Sequence, residues 1–175
     1  MMGLWRIRAT VDDRPGFLSV LTASLALRKV NILSVQVHTT ESGAVDEFLI
    51  DAPDALSHGD LADAVTRGRG RDAWIAPADV RGLIDEPTRV LALATKVLDG
   101  SASLEQALDA LLGECDISWR STGAAGFTAT GMQLADPAGG MLYIRRPAPS
   151  FTPAEYARAQ ALVELARVAS RHTAA

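Results

Sequence analysis

The chain has 175 residues, 48% of them hydrophobic and 22% charged, with a formal net charge of −4. This is the composition of an ordinary globular protein, long enough to bury a core without staples and to form one or two domains. The net acidity argues against a nucleic-acid-binding surface, which needs concentrated positive charge to displace counterions.

A lone cysteine, Cys115, has no internal disulfide partner and makes no cysteine-based metal site by itself, so it is expected as a small core hydrophobe. The first six residues, MMGLWR, show no basic region followed by an apolar one, so no signal peptide is expected. No window approaches the roughly 18 uninterrupted apolar residues of a membrane span. A cytoplasmic protein that touches neither membrane nor nucleic acid is the expectation.

Residues 4–11 alternate apolar and polar side chains, with Trp5, Ile7, Ala9 and Val11 on one face, as in a half-buried strand. A tight polar turn follows, Asp12-Asp13-Arg14-Pro15-Gly16. Pro15 suits a first helical position, and Gly16 lets another group approach the backbone. The free N–H groups of a helix start suit an anion such as a carboxylate. The same residues would also serve simply as a good turn.

Phe17, Val20, Leu21 and Leu25 recur at helical spacing, which predicts a helix over 15–29 with that face on a sheet. Residues 30–32, Val-Asn-Ile, reverse the chain into a second strand over 33–39, with Leu33, Val35 and Val37 inward. A Gly43-containing hairpin leads to a third strand over 45–51. Its Glu47, Leu49 and Asp51 oppose Asp46, Phe48 and Ile50. A capped helix over 59–66, a break at Gly68-Arg69-Gly70-Arg71 and a strand over 72–77 complete the half. The order β-α-β-β-α-β is that of the split βαβ, or ferredoxin-like, arrangement.

The run Asp13-Arg14-Pro15-Gly16-Phe17-Leu18, followed by Val30-Asn31-Ile32 and a strand, resembles the signature of the ACT domain. That resemblance covers about residues 3–78. It implies a small regulatory module that binds an amino acid across the interface of a homodimer, or alternatively an adaptor that dimerises and binds no ligand. In amino-acid-binding members the ligand lies against the Gly-containing turn, and a polar residue at the start of the next strand reaches it from the facing subunit. Carried over residue by residue, this nominates Asp13, Arg14, Gly16, Phe17, Leu18, Asn31 and Ile32 as ligand-binding. Asp13 suits an α-amino group through a charge-assisted hydrogen bond, and Asn31 can both donate and accept. The chain departs from serine-binding members at Val11, often polar there, and at Asp13, often an amide. Two adjacent acids also need an offsetting charge, from Arg14 or from a ligand amine, before an anion fits.

Residues 79–87 read as a linker, and 88–175 as a second small α+β domain. Its expected parts are a helix from Pro87 through Leu98, a capped helix that starts at Ser101 or Ser103 and stops at Gly113, and strands over 116–121, 127–134 and 141–146. A long helix closes it, opened by Thr152-Pro153-Ala154-Glu155, a capping-box pattern. The closing strand and helix are similar to those of GAF domains, in abbreviated form. That likeness implies a dimer surface on the helix at 90–98 and on the terminal helix.

Catalytic patterns are absent. There is no Ser-His-Asp or Cys-His arrangement in motif context, no H-E-x-x-H and no phosphate-binding G-x-x-x-x-G-K-[ST]. Asp46 and Glu47 are adjacent in a strand and so face opposite ways. His38, His58 and His172 stand apart, with His58 in a loop and His172 in the tail, so no metal site or cofactor is expected. The sequence as a whole reads as a non-enzymatic regulatory protein.

Overall fold

The computed structural model describes residues 2–40, 43–78 and 86–173, and the chain divides into two compact units at residues 84 and 85. Residues 79–85 of the expected linker, with its apolar Val80, Leu83 and Ile84, and the hairpin residues Glu41 and Ser42 lie outside the described residues. The protein is α+β throughout, with two antiparallel four-stranded sheets.

The first unit contains β1 (Met2–Val11), α1 (Phe17–Ala26), β2 (Asn31–Thr40), β3 (Gly43–Pro53), α2 (His58–Arg67) and β4 (Arg71–Pro77). Its sheet runs β2-β3-β1-β4, the strand order of the ferredoxin-like arrangement. The register places Ile7, Ala9 and Val11 of β1 opposite Phe48, Asp46 and Ala44 of β3, so these residues share one face. Leu21 and Leu25 of α1 and Leu61, Ala64 and Val65 of α2 complete the core over it. The other face carries Arg8, whose Nε donates to Glu47 at 2.8 Å. The alternation read along β1 and β3 therefore decides which side chains meet the helices. The Ser24 hydroxyl donates to the Ala64 carbonyl at 2.6 Å and ties the two helices together.

Two local expectations differ from the structure. The first helix begins at Phe17, with Gly16 as its cap at φ 92°, so Pro15 lies in the turn and Val20 faces solvent. A left-handed residue cannot continue a right-handed helix, and Gly16 adopts that conformation without a Cβ penalty. The helix ends at Ala26 because Lys29 is left-handed at φ 61°. There the Val30 N–H bonds to the Leu25 carbonyl and the Lys29 N–H to the Ala26 carbonyl, a Schellman closure.

The second difference concerns Leu33, Val35 and Val37, expected inward; they are 41%, 42% and 49% exposed. The strand β2 is an edge, paired only with β3, and its register shifts between Ile32 and Ser34. That bulge leaves Leu33 unpaired and hands its inward place to Ile32, opposite Ile50. Val35 and Val37 do lie opposite Phe48 and Asp46, on the helix side, but at the uncovered rim.

The second unit contains α3 (Glu86–Leu98), α4 (Leu104–Leu112), β5 (Asp116–Arg120), β6 (Gly126–Phe127), β7 (Gly131–Ala135), β8 (Met141–Arg145) and α5 (Pro153–Thr173). Its sheet order is β5-β8-β7-β6. The single strand expected over 127–134 is two, because Thr128 to Gly131 form a tight turn. In it the Thr128 N–H bonds to the Gly131 carbonyl at 2.7 Å and the Gly131 N–H to the Thr128 hydroxyl at 3.1 Å. The core joins Leu108, Leu111 and Leu112 to Met132, Leu134, Leu142 and Ile144, closed by Ala159, Leu162 and Val163. Arg146, almost wholly buried, donates to the carbonyls of Leu112, Pro149 and Ser150 and forms a two-oxygen pair with Glu155. Glu155 also accepts from the Thr152 N–H at 2.8 Å, so the capping box and the buried ion pair are one network.

Candidate functional site

Five of the seven nominated residues gather at the start of α1. The turn is built by the Arg14 N–H bonding to the Asp12 carbonyl at 2.8 Å and the Phe17 N–H to the Arg14 carbonyl at 3.3 Å. Gly16 caps the helix with no side-chain hydrogen bond, and a Cβ placed there would meet nothing within 4 Å. The start of α1 therefore has no side-chain cap and open space beside Gly16, with the Phe17 N–H already bonded to the Arg14 carbonyl; N–H groups left free at a helix start suit an anion. Asp13 and Arg14 are exposed beside it, while Phe17 and Leu18 are half-buried and pack on the core.

Two arginines that the sequence reading passed over as a helix break reach this turn. The α2 helix ends in a second Schellman closure, with the Gly70 N–H on the Val65 carbonyl and Arg69 left-handed at φ 65°. Arg71 then forms an ion pair with Asp12 at 2.7 Å, and the Arg69 guanidinium stands 5.7 Å from the centroid of the Phe17 ring. The two glycines make the approach feasible. A Cβ on Gly68 would lie 2.8 Å from the Leu21 Cα, and one on Gly70 would lie 2.5 Å from Val65 Cγ1 and 3.3 Å from the Ala9 Cβ. Arg71 answers one of the two acids in the turn, and Arg69 adds positive charge near the helix start. The only sequence signal was Gly-Arg-Gly-Arg, where alternating small and charged residues mark a turn that packs closely and presents its charges.

Asn31 and Ile32 do not join the other five within one chain. They begin β2, which follows the far end of a ten-residue helix, about 15 Å long at 1.5 Å per residue. Asn31 is exposed and pairs in register with Asp51, and Ile32 packs on the core.

Asp46 is the feature that sequence reading left without a role. It is 1% exposed, and neither carboxylate oxygen has a hydrogen-bond partner among the described residues. Burial pushes its pKa up from 3.8 to about 6, because the charged form loses its hydration. Its cross-strand neighbours are Ala9 and Val37. A carboxylate in such surroundings is costly unless it is neutralised or paired.

Elsewhere the chemistry is quiet. Cys115 is half-buried, with Sγ 3.8 Å from Asp109 Oδ1, and burial together with the Asp109 charge pushes its thiol up to about 11. That disfavours a nucleophilic thiolate at neutral pH. His58, expected in a loop, is the exposed first residue of α2, and His38 is paired in register with Val45. Among the described residues, no three His, Cys, Asp or Glu side chains gather to hold a metal ion, and no helix is long and apolar enough to cross a membrane.

The fold defines the first unit as a ferredoxin-like α+β module with an open helix start at its β1–α1 turn. No family model and no curated protein sequence matches the chain. Among solved structures it is similar to a formyltetrahydrofolate deformylase from Pseudomonas putida KT2440, at 14% identity over 43% of this chain and 28% of that one, with a TM-score of 0.35. It is similar to the regulatory subunit of aspartate kinase from Thermus thermophilus at 12% identity, covering 97% of this chain and 95% of that one, with a TM-score of 0.37. A protein from Galdieria sulphuraria aligns at 13% identity over 98% and 94% of the two chains, with a TM-score of 0.42. The fold assignment rests on strand order and register within the chain itself.

Proposed function

We propose that the protein is a non-enzymatic regulator whose first unit binds an amino acid, a small zwitterion, at the β1–α1 turn of a homodimer. The observation that carries this reading is the start of α1, where Gly16 at φ 92° has open space beside it and no side chain caps the helix. The resemblance of Asp13–Leu18 and Val30–Ile32 to the ACT signature adds the ligand class. The separation of Asn31 from Gly16 along α1 fits a site shared by two copies, since the two ends can meet only between chains. Binding to one dimer arrangement in preference to another would shift the population toward it, which is how such a module regulates. The second unit is read as a reduced GAF-like companion, on its closing strand and long terminal helix.

A specific observation favours a second reading, that of an adaptor. The exposed rim formed by Leu33, Val35 and Val37 is an apolar sheet edge of the kind that pairs with another chain. Thermal-shift measurements against the twenty amino acids separate the two. A millimolar amino acid that raises the melting temperature, with the rise lost in Gly16→Val, supports the sensor. No rise with any amino acid, in a protein that still sediments as a dimer, leaves the adaptor.

A further inference from the structure

Among the described residues of the first unit, the Asp46 carboxylate is the buried side-chain group left without a hydrogen-bond partner, and the arginines Arg69 and Arg71 flank Gly70 beyond Ala9. Both oxygens are buried and unpartnered among the described residues. Its neighbour on β1 is Ala9 and its neighbour on β2 is Val37. On its own strand the residues of the same face are Ala44 and Phe48. The helix α1, FLSVLTASLA, has no ionisable side chain along its whole length. The residues that α2 buries in the core are Leu61, Ala64 and Val65. A buried carboxylate is tolerated when paired with a positive group, and the described residues form no ion pair or hydrogen bond with this one.

Its position ties it to the turn described above. Asp46 lies on the helix side of β3, one pair further along that face than Ala44, which lies opposite Val11, the last residue of β1 before the turn. Ala9, directly across from Asp46, lies against Gly70, the residue between Arg69 and Arg71. The flanking Ala9 and Ala44 project only a methyl group each. On the other side Val37 is 49% exposed, so the surface is reached one strand away.

We propose that Asp46 is an ammonium acceptor: its carboxylate receives the protonated amine of a ligand whose own carboxylate lies at the start of α1 near Arg69. This rests on the reading that the first unit takes an amino acid, and it moves the amine end from exposed Asp13 to buried Asp46. The chemistry is a charge-assisted hydrogen bond from N⁺–H to a desolvated carboxylate, stronger than the same contact at the surface. The ligand class is a primary amine carrying an acid function. A 2-hydroxy acid of the same shape keeps the carboxylate contacts and loses the ion pair.

The test is calorimetric titration and thermal shift on the full chain, comparing wild type with Asp46→Asn and Asp13→Asn. The probes are the twenty amino acids, glycolate, lactate and ethylammonium chloride. Asp46→Asn is close in size, and its unliganded melting temperature at pH 7 should match or exceed the wild type, which shows that it folds. The expected result is that the best amino acid loses at least tenfold in affinity in Asp46→Asn and little in Asp13→Asn. Its preference over the hydroxy acids should also vanish in Asp46→Asn, and binding at pH 6 should release protons, seen as heats that depend on buffer ionisation. If the amino acid binds wild type and Asp46→Asn alike, or is lost only in Asp13→Asn, Asp46 is not the acceptor, although the amino-acid reading stands. If no amino acid binds but ethylammonium stabilises the wild type through Asp46, the acceptor stands and the amino-acid reading falls. If none of the probes binds, both fall.

Discussion

Arg71 and Asp12, fifty-nine residues apart in sequence, form an ion pair at 2.7 Å that fastens the start of β4 to the turn before α1. Both side chains are 45% exposed, so the pair adds little to folding. Removing either partner should cost less than about 1 kcal/mol. Its effect on the turn should be larger than its effect on stability. Arg71→Ala leaves Asp12 without its ion-pair partner beside the helix start, so amino-acid affinity should fall several-fold while the denaturation midpoint barely moves. Equal losses in both would show that Arg71 is only structural.

The glycines of the Gly68–Arg71 turn should behave differently from Gly16. A Cβ on Gly68 meets the Leu21 backbone at 2.8 Å, and Gly68→Ala should destabilise the first unit by about 1–3 kcal/mol through overpacking. Gly16→Ala meets no atom within 4 Å but must hold φ 92°, a strain of about 1–2 kcal/mol. Urea denaturation followed through Trp5 and Trp74 reads both, in chains with Trp119 replaced by Phe.

Asp46 makes the first unit sensitive to pH in a defined direction. Its folded pKa, about 6, is above the value of 3.8 it has when exposed, so the folded chain holds the proton more tightly. The contribution is complete below pH 3.8 and is lost as pH rises toward about 6, amounting to about 3 kcal/mol at 1.36 kcal/mol per pH unit. Wild type should therefore lose stability relative to Asp46→Asn between pH 4 and pH 7. A difference that is flat across that range would mean that Asp46 keeps its proton equally in both states. The neighbours across the strands, Ala9 and Val37, add no titrating group of their own.

The second unit depends on the buried pair of Arg146 and Glu155. Glu155→Ala strands a buried guanidinium and also removes the acceptor for the Thr152 N–H, so it should cost about 3–5 kcal/mol. Unfolding followed through Trp119, in chains with Trp5 and Trp74 replaced by Phe, should shift accordingly. A loss below about 1 kcal/mol would mean that the pair is replaceable.

The rim of β2 offers a final test. Val35→Lys and Val37→Lys place charge on residues that are already 42% and 49% exposed, so the folded monomer should tolerate both. If this rim joins two copies, sedimentation should show the double variant shifted from dimer to monomer. An unchanged dimer would place the contact elsewhere.

Much of this architecture was legible because strand alternation and helix spacing record which side chains must leave water. Ile7, Ala9, Val11, Phe48, Leu21 and Leu61 are all in the core for that reason. The capping pattern at Thr152 marked a helix start because its bonds are local, whereas the choice between Ser101 and Ser103 is made by the bond from the Gln106 N–H to the Ser103 hydroxyl. Leu33 was misplaced because alternation assumes an unbroken ladder, and the bulge after Ile32 is settled by pairing with β3. The turn from Thr128 to Gly131 was missed inside a Thr-containing stretch that reads as one strand, and the pairing of β7 with β6 and β8 is what divides it.

The sequence by itself determined the βαββαβ order, the polar turn before α1 and the residue types that could meet a zwitterion there, because these follow from periodicity and local backbone chemistry. Tertiary structure decided the rest. It brought Arg69 and Arg71 to the turn, separated Asn31 from Gly16 by the length of a helix, and left Asp46 buried with no hydrogen-bond partner among the described residues. Each of those is a relation between elements distant in the chain. Charge, burial and reach are properties of the assembled neighbourhood, which no local pattern of residues encodes.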